Sequence, residues 1–362
     1  YAGLENDERH ADFRGYANIV LRQAADPYDG AKTALQESQV IARALDIDLK
    51  LERLQAKDAA GIAGKISRHA KKGVQLFLLD APGDVVAEVA KRTRDENVLL
   101  FNITALDDAL RAGSCGMHLL NIAPSRSMLM DALGQYAASQ RWEDVLVLRG
   151  PQERDKLQVA AFLRAAKRFG VNVVDVREFS QGNDPRERTK NNVALLTRGS
   201  YDAVFVADAA LALARFVPYQ TRLPRPVFGD QGLVPAAWHW AGERYGAPQL
   251  NQRFERVADR RMQANDWAAW TAVRLIMDAV RATRATDIES IAAFLRSDEL
   301  NLDTYKGSPG SFRAWDNQLR QPILLHTENA VIAYAPLEGF LHPTRTLDTL
   351  GTDRVETACT LQ

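Results

Sequence analysis

Two carboxylates stand where α/β proteins usually meet their ligands. Asp80 closes the apolar run VQLFLLD at 74–80, and Asp208 closes YDAVFVAD at 201–208, 128 positions further on. Buried parallel strands read as continuous apolar runs, and open α/β sheets bind ligands beyond the carboxyl ends of their strands. An aspartate at such a point can accept a ligand's hydrogen bonds, hold a cation, or act as acid or base. Other polar residues collect at similar junctions: Asn102 and Thr104 after 97–103, Ser125 and Arg126 opening a helix, and Gly229-Asp230-Gln231-Gly232 after 226–229. Each alone also suits the capping of a following helix. As a set drawn from both halves of the chain, they outline a site held from two sides.

Motifs for group-transfer chemistry are missing. No GxGxxG follows a strand, no P-loop exists, and Gly307-Ser-Pro-Gly-Ser311 reads as a turn, not a nucleophile elbow. The six histidines, at 10, 69, 118, 239, 326 and 342, form no HExxH. No cofactor and no metal is therefore expected, and no catalytic residue is assigned. The two cysteines, Cys115 and Cys359, match no zinc pattern. They are either two buried thiols or one long-range disulfide, and an exported location favours the disulfide.

The elements that must position these residues alternate. Helices are expected at 30–45, 58–72 (capped by Asp58) and 84–94, and strands at 48–54, 74–80, 97–103 and 117–122. The pattern then restarts. Helices at 125–140, 155–169, 184–198 and 209–217 alternate with strands at 144–148, 171–176, 203–207 and 226–229. Such alternation means βαβ units and parallel sheets. Two long helices follow at 249–262 and 266–283, the second with Trp267, Trp270, Val273, Met277 and Val280 at helical spacing. That stripe reads as core, with Trp267 able to reach a cleft. A helix at 288–296 and short strands at 311–315, 323–326 and 331–335 complete the chain.

At 362 residues the chain suits two domains. Lys+Arg and Asp+Glu are equal at 46, so no basic footprint of a nucleic-acid binder exists. The scattered arginines read as solvated helix faces. No apolar stretch is long enough to span a membrane as a helix. The opening Tyr1-Ala-Gly-Leu4 reads as the tail of a first strand, so a leader is expected to have preceded it.

In this order, several segments resemble type I periplasmic solute-binding proteins of ABC transporters, in the branched-chain amino acid and amide class. DGAKTALQESQVIARAL is similar to that family's first helix, and VQLFLLDAPGDVVAEVAKRTRDENVLLFNITALDDAL to its third-to-fourth strand unit. HLLNIAPSRSMLMDALGQYA is similar to its first lobe crossing, RPVFGDQGLV to the loop before the second, and DTYKGSPGSFRAWDNQLRQPILL to its closing segment. AAWHWAGERYGAPQLNQRF and RRMQANDWAAW resemble a branch associated with PQQ-dependent alcohol dehydrogenase systems. The resemblance implies two Rossmann-like lobes joined by three crossings, 1–122 with 248–320 and 123–247 with 321–362. It also implies periplasmic location, a small-molecule ligand between the lobes, a permease partner, no catalysis, and a Cys115–Cys359 disulfide.

Departures from that family concern the ligand. Arg126 falls near the position of an aspartate that holds the α-ammonium of amino acids, and Gln231 replaces a glutamate with the same task. Tyr28 corresponds to an aromatic residue before the first helix, and the hydroxyl loop expected near 81–84 lacks its serines. An arginine in place of an acid favours carboxylates. The expected ligand is an organic acid or a product or cofactor of alcohol oxidation, PQQ included, contacted by Tyr28, Asp80, Asn102, Thr104, Ser125, Arg126, Asp208, Asp230 and Gln231. Two other readings are an extracytoplasmic sensor and an enzyme on the same scaffold using Asp80 or Asp208.

Overall fold

The computed structural model describes all residues except 16, 17, 181–189, 360 and 362. The first half builds β1 (Ala2–Leu4), the hairpin β2 (Phe13–Arg14) and β3 (Val20–Arg22), α1 (Tyr28–Ala44) and β4 (Leu54–Ala56). α2 (Ala59–Ala70), β5 (Leu76–Asp80), α3 (Gly83–Arg92), β6 (Leu99–Asn102) and β7 (Leu119–Asn121) follow. Their parallel sheet has the order β4-β1-β5-β6-β7. The opening residues thus lie inside a sheet, as the reading of Tyr1-Ala-Gly-Leu4 expected. Asp58 caps α2 by accepting from the Gly61 amide at 2.7 Å.

A second unit contains α4 (Arg126–Ser139), β8 (Asp144–Arg149), α5 (Glu153–Phe169), β9 (Asn172–Glu178), α6 (Val193–Leu196) and β10 (Ala203–Ala207). It continues through α7 (Val217–Gln220), β11 (Val227–Gly229) and β12 (Val234–Ala236). Its parallel sheet runs β11-β10-β8-β9. Residues 209–217 do not form the expected helix. Asp208 Oδ2 accepts from the Leu213 and Ala214 amides at 2.7 and 2.9 Å, folding the segment back into a short 3₁₀ turn. Of the helix expected at 184–198, residues 184–189 lie outside the described set, and the described part is helical at α6.

The chain then returns to the first sheet with α8 (Ala247–Ala258), α9 (Ala264–Thr283) and α10 (Ile288–Arg296). The aromatic stripe of α9 is core: Trp267 and Trp270 are buried with Phe101, Leu120 and Ile122 of the first sheet. Trp267 does not face a cleft, because its indole N–H donates to the Thr304 carbonyl inside the lobe. α1 packs against α9 so closely that a Cβ on Gly30 would lie 2.0 Å from the Asp266 carbonyl oxygen. β13 (Ser311–Phe312) and β14 (Leu319–Arg320) pair with each other. β15 (Ile323–His326) and β16 (Val331–Ala335) join β12 in an antiparallel sheet that buries Ile323, Leu325 and Ala335 with α4 in the second lobe's core.

Three connections join the lobes, and one buried lysine touches two of them. Lys306 Nζ donates to the Ala237 carbonyl at 2.9 Å and to Gln321 Oε1 at 2.8 Å, over the face of Trp267. Gln321 Nε2 in turn donates to the Ile122 carbonyl at 2.6 Å, reaching the third connection. Cys115 and Cys359 form a disulfide, as the resemblance implied, with Cα atoms 5.9 Å apart.

Candidate ligand-binding cleft

The facing strand and helix ends of the two lobes enclose a cleft with an inner chamber of about 280 Å³ and an outer one of about 660 Å³. Arg22, Leu106, Arg126, Arg154 and Asn265 border both chambers. From the first lobe the inner chamber takes Ile103 and Leu106 beyond β6, and Asn265 and Ala268 on α9. From the second it takes Arg126, Leu129 and Met130 of α4, Arg154 and Gln158 of α5, Asp208 and Asp230.

Two of these helices point their amino ends at the cleft. Ser125 caps α4, accepting from the Met128 amide at 3.1 Å, so Arg126 is the first helical residue. α5 starts at Glu153 behind a capping box of Gln152 and Asp155, which places Arg154 in its first turn. Helix amino termini favour negative charge. The guanidinium groups of Arg22, Arg126 and Arg154 add to that preference, since none of them forms an ion pair among the described residues. Partial desolvation, then the like charge of Arg154, pulls the Arg22 guanidinium below its ordinary range.

The acids on the second lobe are already engaged. Asp208 holds the two backbone amides named above. Asp230 is buried so deeply that its pKa rises, although it accepts from Gln158 Nε2 at 3.0 Å and from the Asp208 amide at 2.7 Å. Both its oxygens serve as acceptors, and both acids border the inner chamber.

The expected site residues therefore divide. Arg126, Asp208 and Asp230 line the inner chamber, and Thr104 lines the outer one. The others stand elsewhere. Asp80 turns away from the cleft: it accepts from the Tyr1 hydroxyl, from Arg9 Nη2 at 3.1 Å and from His10 Nε2 at 2.5 Å, fastening the first ten residues to β5. Tyr28 packs edge-on against Tyr1 beneath Arg53. Asn102 clamps its own loop, donating to the Ala105 carbonyl and Asn121 Oδ1 and accepting from the Thr104 and Ala105 amides. Ser125 is spent on its cap. Gln231 is half-buried beside the cleft and borders neither chamber.

Arg22, Arg154, Gln158 and Asn265 were not legible in advance. Asp7, His10 and Asp80 are spaced as metal ligands could be, but Arg9 pairs with both carboxylates, at 2.5 and 3.1 Å, and offsets part of their charge. Burial opposes charge on His10, yet the hydrogen bond and charge of Asp80 outweigh it and raise its pKa.

Comparison with solved structures settles the architecture. A branched-chain amino acid ABC transporter periplasmic ligand-binding protein from Burkholderia xenovorans superposes with a TM-score of 0.74 at 13% identity, over 99% of this chain and 98% of that one. The fold is that of a two-lobed type I periplasmic binding protein. A leucine-, isoleucine-, valine-, threonine- and alanine-binding protein from Brucella ovis, in its closed conformation, has the same fold, with a TM-score of 0.72 at 17% identity over 100% and 98% of the chains. So does an R. palustris ABC transporter solute-binding protein in complex with benzoate, with a TM-score of 0.63 at 11% identity over 93% and 97%. No family model and no curated protein matches the sequence. Ligand sites favour clefts between domains, and here that cleft carries the arginines. Among the described residues, no helix is long and apolar enough to cross a membrane.

Proposed function

We propose that this chain is the periplasmic solute-binding component of an ABC transporter and closes its lobes on a small organic anion. The observation that carries this reading is the trio Arg22, Arg126 and Arg154, which borders the cleft with no ion-pair partner among the described residues. Simple amino acids fit the inner chamber poorly, because both of its carboxylates are already engaged: Asp208 and Asp230 are held by backbone and amide donors. The benzoate complex of the R. palustris protein supports an organic acid as ligand class. Within that class, a product or cofactor of alcohol oxidation is the source we favour, with PQQ as one member. The lobe boundaries 1–122 with 248–320 and 123–247 with 321–362 belong to the same reading, as do delivery to a permease and the absence of catalysis.

Native mass spectrometry of the gently purified protein tests it directly. A co-purified mass that fragments as a small carboxylic acid supports the proposal. Co-purified leucine, isoleucine or valine, or micromolar binding of any of them by calorimetry, rules the anion reading out.

A further inference from the structure

Part of the inner chamber's wall is built from the hinge itself. Ala123 and Pro124 of the first connection line it, as do Ala236 and Ala237 where β12 leads into the second. Gln318, just before β14, ties the first connection to the third by donating to the Asn121 and Ala123 carbonyls at 3.1 and 3.2 Å. β12 and β15 pair as far as Ala236 and Leu324. Just past that ladder, Lys306 reaches in from the first lobe. Its ammonium donates to the Ala237 carbonyl and to Gln321 Oε1, and it stands 3.6 Å from the centre of the Trp267 ring. Trp267 belongs to α9, whose next residue, Ala268, lines the same chamber. Gln321 passes the contact on to the Ile122 carbonyl.

Lys306 is only 2% exposed, and no carboxylate offsets its burial, which pulls its pKa well below the ordinary lysine range. Burying an ammonium without an opposite charge is costly, and a methionine would fill the same space without that cost. What the lysine adds is donors in three directions, here two oxygens and an indole face. We propose that Lys306 is a positioning residue for lobe closure. From the first lobe it pins the second and third connections, and through Gln321 the first, so that the chamber wall and the hinge move as one piece along one closing path. This role is independent of which molecule fills the cleft, so it can stand or fall apart from the organic-anion reading.

Pulsed electron paramagnetic resonance tests this on protein freed of ligand by denaturation and refolding. Spin labels are placed at Asp95→Cys in the first lobe and Ala160→Cys in the second, both exposed positions, while the native cysteines stay bonded to each other. Lys306→Met keeps an unbranched stem beside Trp267 and removes the donors. It should broaden the interlobe distance distribution or add a second peak, the sign of a second populated arrangement. Gln321→Met, which cuts the relay to Ile122, should do the same. Ile62→Ala, in a separate core cluster of the first lobe, should lower the melting temperature and leave the distribution unchanged. In the parent protein, Lys306 should stay unmodified under reductive methylation while the exposed Lys50 reacts. A parent-like distribution in either folded hinge variant overturns the proposal, since the lysine then serves stability alone. Failure of both variants to fold overturns it too, as does the same broadening in Ile62→Ala or methylation of Lys306 at the rate of Lys50.

Discussion

Arg126 combines two sources of positive potential, its own guanidinium and the amino terminus of α4 on which it stands. Replacing it with alanine should weaken binding of the co-purified acid by about 2–5 kcal/mol, the scale for losing one partner of a buried charge pair. The circular dichroism spectrum should not change, because the Ser125 cap and the α4 core contacts stay in place. An Arg126→Ala protein with native affinity in calorimetry would remove Arg126 from the site. Histidines set the pH response at the same scale. His239 stacks on His326 at 3.9 Å, and burial, His326 and Arg261 push its pKa down to about 4. An unfolded histidine titrates near pH 6.5, so between about pH 6.5 and 4 the unfolded chain takes up a proton that the folded chain refuses. Stability should fall as pH drops through that window. His10 has the opposite sign: its raised pKa adds stability that is complete below about pH 6.5 and fades as pH rises through its folded value. Thermal melts across this range should show His239→Gln losing less stability toward acid than the parent protein. Parallel curves for the two would refute the assignment.

Elements carry the geometry that the residues need. α1 and α9 meet at Gly30, and Arg260 ties their amino ends by donating to Asp266 at 2.7 Å and Asp29 at 3.1 Å. Because Asn265 on the first turn of α9 borders both chambers, this contact also sets one wall of the cleft. Gly30→Ala should force the helices apart and cost about 1–3 kcal/mol in urea unfolding, with weaker ligand binding as a second readout. Elements were also the most legible level of the sequence. The runs ending at Asp80 and Asp208, the α9 stripe and the caps Asp58 and Ser125 all announce themselves by period or by residue type. The site was less legible. Position at a strand end does not say which way a side chain turns, and Asp80 turns toward Tyr1 and His10 instead of the cleft. Arg154 and Gln158 lie on an amphipathic helix, where polar residues that face a cleft look like polar residues that face water. Arg22 ends a strand of three residues paired with one of two, too short to show an alternation.

At the scale of the whole molecule, the lobes are discontinuous in sequence and joined by connections that Lys306 and Gln321 hold together. Closure around a ligand is expected to be a rigid-body hinge. Small-angle scattering should show a smaller radius of gyration when the co-purified acid is restored to stripped protein, and an unchanged profile at saturation would count against a hinge. The Cys115–Cys359 bond closes a loop of 244 residues, and long loops give disulfides their largest leverage on the unfolded chain. Its reduction should cost about 2–4 kcal/mol, read as a drop in melting temperature under dithiothreitol. Thiol titration of the unreduced, denatured protein should find no free sulfhydryl, and two would show that the bond does not form.

That bond also imposes an order in time. Cys359 lies beyond every named strand of both parallel sheets, and even β16 ends at Ala335. A growing chain can therefore lay down all of its sheet framework before the stitch becomes available. Premature termination between 353 and 358 would spare the buried Asp348 pairs with Arg313 and Arg320 and the core contact of Leu350, yet leave Cys115 as an unpartnered thiol. Reactivity of that one sulfur would distinguish finished chains from unfinished ones.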